Sequence, residues 1–61
     1  MIDLKATLQK ANITAYRLSR IIDRPTSQIY DWTSGKVEPS PLSEDRIRKI
    51  LEENSIDIIE K

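Results

Sequence analysis

The sequence contains no cysteine and no histidine among its 61 residues. Without cysteine there is neither a disulfide nor a thiolate, and without histidine the commonest general base and the usual zinc ligands are missing. An enzyme would also need a pocket of about 300 Å³ or more, for which a helical domain of this size is expected to have little room. We therefore predict no enzyme, no metal, no cofactor and no small-molecule ligand.

The chain also lacks a continuous apolar run, and its first twelve residues mix charged and apolar positions. This pattern is typical neither of a signal peptide nor of a membrane span. We expect a cytoplasmic protein without a membrane partner. A chain of this length is expected to build one small core, and so a single domain over residues 1–61.

The ten basic and ten acidic residues cancel in number but are unevenly distributed. Residues 1–36 hold six Lys or Arg against three Asp, a net charge of +3, whereas residues 37–61 hold four against seven, a net charge of −3. A net charge of zero counts against a nucleic-acid partner. The polarised distribution favours one, because the basic part could face phosphate while the acidic part points away.

Glycine and proline are scarce and clustered. The one glycine is Gly35, and the three prolines lie between residues 25 and 41, which leaves long stretches free for helix. The apolar spacing and the capping residues predict four short helices. They are expected at 3–11, from Thr14 to about Ile22, from about Pro25 to Ser34, and from Ser40 or Ser43 to about Asn54.

The fourth helix and the tail behind it complete the predicted fold. The apolar face of that helix is expected to hold Leu42, Ile47, Ile50 and Leu51. Residues 55–60 read SIDIIE, which indicates either a hydrophobic strap or, slightly favoured, a short strand. The predicted fold class is all-α with four short helices, and a short C-terminal β-strand is the open point.

The second and third predicted helices are joined by a short turn, the geometry that lets a helix enter the major groove of DNA. Apolar positions are expected to converge between the two helices, and Ser19 is small where they approach most closely. The converging residues are Leu18, Ile22, Ile29 and Trp32. The other face of the third helix offers Thr26, Ser27, Gln28, Tyr30 and Asp31.

From Leu4 to about Ser40 the sequence resembles the phage repressor and Cro family of helix-turn-helix proteins (XRE-like), whose fold is lambda-repressor-like. The resemblance is carried by Leu4, Leu8, Ile13-Thr14, Leu18-Ser19, Ile22, Ile29, Trp32 and the Gly35-Lys36 turn before Pro39-Ser40. Asp23 departs from the usual turn glycine, and Pro25 departs from the usual Ser or Thr cap, so that a phosphate contact is lost or passes to Thr26. The part after the fourth helix is shorter than in many members.

The resemblance implies a transcriptional regulator that binds duplex DNA. Base contacts are expected from Thr26, Ser27, Gln28, Tyr30 and Asp31. Gln28 leads this set, because a glutamine amide matches adenine in the major groove. Tyr30 could instead pack along the core edge, and Asp31 could be a surface carboxylate paired with a cation. Phosphate contacts are expected from Thr14, Arg17, Arg24, Ser34, Lys36 and Ser40.

A homodimer on a palindromic operator, with half-sites about 34 Å apart, is the expected assembly. One domain of this size reads only a few base pairs, so two copies are needed for typical specific affinity. The interface is predicted at Leu51, Ile56, Ile58 and Ile59. The alternative is a protein-interaction module of the same fold that docks a larger regulator or a toxin without recognising DNA; the zero net charge and Asp31 favour it.

Overall fold

Four α-helices form the fold in the computed structural model, which describes all 61 residues. The helices are α1 (Leu4–Ala11), α2 (Ala15–Ile22), α3 (Thr26–Ser34) and α4 (Pro41–Glu53). The all-α prediction is confirmed, and the predicted helix ends agree to about one residue. None of the four has the length and apolar character needed to cross a bilayer.

Side-chain caps fix the start of three helices. The side-chain oxygens of Asp3, Thr14 and Ser40 each accept a hydrogen bond from the backbone N–H three residues later, at 3.1, 3.1 and 3.2 Å. Such caps satisfy amide groups that have no partner within the helix. α3 is the exception, because it follows Pro25, which makes no side-chain cap.

Left-handed residues end the first three helices. Asn12 and Asp23 both have φ of +57°, and Gly35 has φ of +81°. This backbone conformation ends a helix by turning the chain out of it. Asp23 therefore holds the turn between α2 and α3 in the conformation for which glycine is usually preferred.

The core lies where the four helices meet. Its members are Ile2, Leu4, Leu8, Leu18, Ile22, Ile29, Trp32, Ile47 and Leu51. The predicted convergence of apolar residues between α2 and α3 is confirmed, and Leu18 and Ile29 have no exposed surface. This burial fixes α3 against α2 and leaves the opposite side of α3 in solvent.

The predicted apolar face of α4 is wrong at Leu42, which is 80% exposed. Ile47 and Leu51 are buried and Ile50 is half-buried. Leu42 precedes Ile47 by five residues, which at about 100° per residue turns its side chain about 140° away from the buried face. α4 therefore presents an apolar side chain to solvent.

The tail runs back along the amino terminus as a strap rather than as a strand of a sheet. One antiparallel bridge joins Ile2 to Glu60, and the Asp3 N–H donates to the Ile59 carbonyl at 2.8 Å. Beyond this bridge the tail has no ladder partner. Of the two readings of SIDIIE, the hydrophobic strap is the one that the structure contains.

The strap also changes the expected dimer interface. Leu51 has no exposed surface, so its assignment to an interface is wrong. Ile56 and Ile58 pack against the core of their own chain, and Ile59 is half-buried. The small core thus absorbs much of the apolar surface that was expected to cover a second copy.

Candidate nucleic-acid interface

A polar contact between Ser19 and Thr26 adds to the apolar packing that holds α3 against α2. Ser19 is buried, and its hydroxyl lies 3.1 Å from the Thr26 hydroxyl and 2.5 Å from the Tyr16 carbonyl. A larger side chain at this position would push the two helices apart. The first turn of α3 is thereby held against α2 by a polar contact inside the motif.

The same contact removes the Thr26 hydroxyl from the exposed side. Thr26 is half-buried, and its hydroxyl is shared with Ser19. The sequence predicts that Thr26 contacts a base, and that the phosphate contact of the usual cap is either lost or passes to Thr26. The structure gives it instead a role in joining the helices, with its methyl group as the part left for another contact.

The solvent side of α3, which we call the outer face, consists of Ser27, Tyr30, Asp31 and Ser34, of which Asp31 is half-buried and the other three are exposed. At about 100° per residue, Ser27 and Ser34 lie opposite the buried side chains, with Tyr30 and Asp31 on either side of them. Tyr30 is 59% exposed, so its ring lies on the surface and not at the core edge. Four side chains able to hydrogen-bond thus share one convex surface.

Gln28, the leading candidate from the sequence, lies at the side of this strip. The buried direction of α3 is given by Ile29 and Trp32. Gln28 lies about 70° from the middle of that direction, whereas Ser27 lies about 170° from it. Gln28 is accordingly half-buried, and its amide could reach a base edge only along the flank of the helix.

Cations without an ion-pair partner are concentrated in the helix-turn-helix part of the chain. Seven of the ten Lys and Arg side chains have no carboxylate within ion-pair distance, and five of these seven lie in residues 1–36. The seven are Lys5, Arg17, Arg20, Arg24, Lys36, Arg46 and Lys49. The three cations predicted to contact phosphate, Arg17, Arg24 and Lys36, are all in this unpaired set.

The three predicted phosphate-binding hydroxyls differ in what they can still donate. A phosphate only accepts hydrogen bonds, so a hydroxyl must offer its proton. The Thr14 hydroxyl only accepts, from a backbone N–H, so its proton is free. Ser34 already donates to the Asp31 carbonyl and Ser40 to the Ser43 hydroxyl, so either would have to give up a bond.

Asp31 is the only charged residue of α3, and it has no cation within ion-pair distance. The expectation that it is a surface carboxylate paired with a neighbouring cation is therefore wrong. An unpaired carboxylate repels phosphate, and it also accepts hydrogen bonds from amino groups such as cytosine N4. Asp31 thus opposes indiscriminate binding to a polyanion.

Sequence reasoning missed Tyr16 and Arg20 on the exposed side of α2. The Arg20 guanidinium donates to the Tyr16 hydroxyl at 3.0 Å, and its central carbon lies 5.9 Å from the centre of the ring. The i, i+4 spacing on a helix was the available sign. The ring holds an unpaired cation in a defined position one helix away from the outer face of α3.

No protein-family model, curated protein or solved structure matches this chain. The likeness to the repressor and Cro family therefore depends on the residues of the motif. What the structure adds is the packing of α2 on α3 and the position of each side chain around them.

The remaining surface carries several concavities. They reach about 760 Å³, so the expectation of too little room for a pocket of enzyme size is wrong. The largest is open and lies along α2. Its lining, Asn12, Ile13, Thr14, Tyr16, Arg17, Arg20 and Ile21, contains no carboxylate. No group of acidic residues could hold a metal ion.

Proposed function

We propose that this chain is a sequence-specific transcriptional regulator that binds duplex DNA, a Cro-like repressor that occupies a palindromic operator as a homodimer. The observation that carries the proposal is the outer face of α3. It is convex and polar, it is fixed by the buried Ser19 contact, and unpaired cations flank it in the sequence. A convex helix of this kind fits the major groove of B-DNA.

The side chains of α3 divide into central and flanking base contacts. Ser27 occupies the central position, and the exposed Tyr30 beside it reaches the base edges as well. Asp31 accepts from a cytosine amino group, and Gln28 pairs with adenine from the flank. The Thr26 methyl group is left for a thymine methyl. Each good bidentate contact discriminates between base pairs by about 1–3 kcal/mol.

The cations position the domain without reading sequence. Arg17, Arg24 and Lys36 have no carboxylate partner, and the Thr14 hydroxyl has a free proton. Together they contact backbone phosphates on either side of the groove. Ser34 and Ser40 contribute only if they release the hydrogen bonds they now make. The proposal assigns the protein no catalytic activity and no cofactor, and it places the protein in the cytoplasm, where it meets its operator.

Selection from a random duplex pool tests this proposal. Bound DNA is isolated and sequenced, and affinity for the enriched duplex is measured by fluorescence anisotropy at low and moderate salt. We expect a palindrome to be enriched and the affinity to fall steeply with salt, by about 0.9 logarithmic units per tenfold salt for each phosphate contact. An absence of binding even at low salt would contradict the proposal.

Two kinds of variant separate reading from positioning. Gln28→Ala should reduce the sequence preference and keep the salt slope, whereas Arg17→Ala or Lys36→Ala should weaken all sequences and lower the slope by about one. Lys61→Ala is the matched control, because it also removes a cation but one paired with Glu38 at 3.2 Å. An equal effect of Lys61→Ala would show that the slope reports net charge and not contact.

The second candidate function is a protein-interaction module of the same fold. Asp31 favours it, since an unpaired carboxylate on the outer face of α3 disfavours a polyanion. In that case the outer face binds a regulator or a toxin, and the chain shows neither enrichment of a palindrome nor salt-dependent binding in the same experiment.

A further inference from the structure

The solvent side of α4 carries an apolar side chain that its own chain leaves uncovered. Leu42 is 80% exposed, more than any other large hydrophobic residue. Ile50, about two turns later on the helix, is half-buried. Both line a shallow groove of about 370 Å³, whose other residues are Asp45, Arg46, Lys49 and Glu53. We call these six residues the α4 outer face.

The α4 outer face carries two positive and two negative charges, and none of them forms an ion pair within the chain. Asp45 and Glu53 are acidic, Arg46 and Lys49 are basic, and none of the four has an ion-pair partner. On the same helix Arg48, which points elsewhere, pairs with both Glu44 and Glu60. Asp45 and Arg46 are neighbours of opposite sign, so a two-fold axis that passes between them brings each opposite the other in a rotated copy.

Helix geometry provides one arrangement that satisfies both the apolar and the charged residues. Two α4 helices are placed antiparallel about a two-fold axis that passes between Asp45 and Arg46. Leu42 lies about 5 Å to one side of the axis and Ile50 about 7 Å to the other, so Leu42 of one copy lies at nearly the same level as Ile50 of the other. Asp45 of one copy then lies beside Arg46 of the other. An isologous contact makes each of these pairs twice.

We propose that the α4 outer face binds a second copy of this chain through antiparallel packing of α4 on α4. The inference rests on the proposed function, because a palindromic operator is read by two copies related by a two-fold axis. It places the interface on the six residues of the α4 outer face, and not on the residues of the tail. Burial of Leu42 removes from water the most exposed large apolar side chain of the chain.

Sedimentation velocity of the full chain without DNA, over a range of protein concentrations, measures this association. Leu42→Asp should weaken the dimer roughly tenfold to a hundredfold, because a charge replaces a buried leucine at two symmetric sites. The variant should fold, since an acidic residue in the first turn of a helix is favourable. Val37→Asp is the matched control, because Val37 is exposed but lies before α4, outside the groove.

A charge exchange tests the register. Asp45→Arg and Arg46→Asp should each weaken the dimer, because like charges then face each other across the axis. The double variant Asp45→Arg/Arg46→Asp restores opposite charges and should recover most of the affinity. A monomer at every concentration with DNA absent and present, or equal effects of Leu42→Asp and Val37→Asp, would overturn the inference.

The two proposals fail in different ways. A chain that binds the selected DNA with base preference, but as one copy per duplex on a complete palindrome, overturns the α4 interface and leaves DNA recognition in place. A chain that dimerises through Leu42 and ignores DNA overturns the proposed regulator and supports the α4 interface. Analysis of the wild type with half-site and full-site duplexes of equal length distinguishes these outcomes.

Discussion

The hydroxyl of Thr7 joins α1 to the tail by accepting a hydrogen bond from the Ile59 N–H at 3.1 Å. The same hydroxyl donates to the Asp3 carbonyl at 2.7 Å, so both of its functions are satisfied although Thr7 has no exposed surface. The strap is therefore fixed to the helical core by a buried polar group, and not only by its isoleucines.

Thr7→Val should lower the free energy of unfolding by about 1–3 kcal/mol, because it leaves a backbone amide without its partner while keeping the shape of the side chain. Denaturant unfolding measures the loss, and hydrogen exchange at the Ile59 amide should accelerate. Thr33→Val is the control, since the Thr33 hydroxyl bonds only to the Tyr30 carbonyl on an exposed surface. Equal losses in the two variants would contradict a special role for Thr7.

The contrast between caps and strap shows what local sequence can predict. The sequence predicts Thr14 as one helix cap and Ser40 or Ser43 as another, because a cap bonds an amide only three residues away. The Thr7–Ile59 bond spans 52 residues, and nothing near either residue in the sequence indicates it. The isoleucines of the tail favoured a strand, and this prediction was wrong. The partner of the tail is decided by tertiary packing, which the local sequence does not show.

Glu60 makes the strap sensitive to pH. Its hydrogen bond with the Arg48 guanidinium lowers the pKa of the Glu60 carboxyl below its ordinary value of 4.5, against an opposing effect of burial, and the amino terminus lowers it further. A carboxyl whose pKa is lowered by folding stabilises the folded state above its unfolded pKa, and this contribution is lost as the pH falls through the folded value.

Glu60→Gln should therefore destabilise the protein at neutral pH, and the difference from wild type should shrink as the pH falls below the ordinary carboxyl pKa of 4.5 and vanish below the lowered pKa of the folded state. Urea unfolding at a series of pH values measures this. Glu52→Gln is the control, because Glu52 is exposed and makes no ion pair. A difference that stays constant with pH would argue against the Arg48 contact as its source.

Asp23→Gly should stabilise the protein by about 0.5 kcal/mol, because the φ of +57° at this position costs glycine less than a residue with a Cβ. Asp23→Ala should have the opposite effect by about 1 kcal/mol, since alanine tolerates this conformation less well than aspartate. Thermal unfolding of the three proteins measures the order. Stability that is highest for Asp23→Ala would show that the turn is not under conformational strain.

The limits of prediction at the candidate site have a geometric cause. The composition of α3 indicated polar residues on one side, but Gln28 lies on the flank because the buried direction is set by Ile29 and Trp32 together. Leu42 was placed on the buried face of α4 by the same kind of error, a wrong assignment of which direction around the helix is buried. Apolar residues near a helix end are easily assigned to the wrong face, because few neighbours in sequence fix the phase there.

Asp31→Asn gives the most direct information on how α3 meets DNA. Loss of the unpaired carboxylate removes a repulsion, so affinity for unrelated duplexes should rise. If Asp31 accepts from a cytosine amino group, as proposed, discrimination at one base pair of each half-site should also fall by about 1–3 kcal/mol. Anisotropy with the selected operator and with single-base variants of it measures both effects.

Asp23→Asn is the matched control for this experiment, because it removes the same charge from the exposed turn before α3. It should raise affinity for unrelated duplexes and leave the base preference unchanged, since the residue lies in the turn and not on the outer face. A base preference that is likewise unchanged in Asp31→Asn would remove Asp31 from the base contacts and assign it to repulsion alone. Base reading would then fall to Ser27, Tyr30 and Gln28, none of which carries a charge.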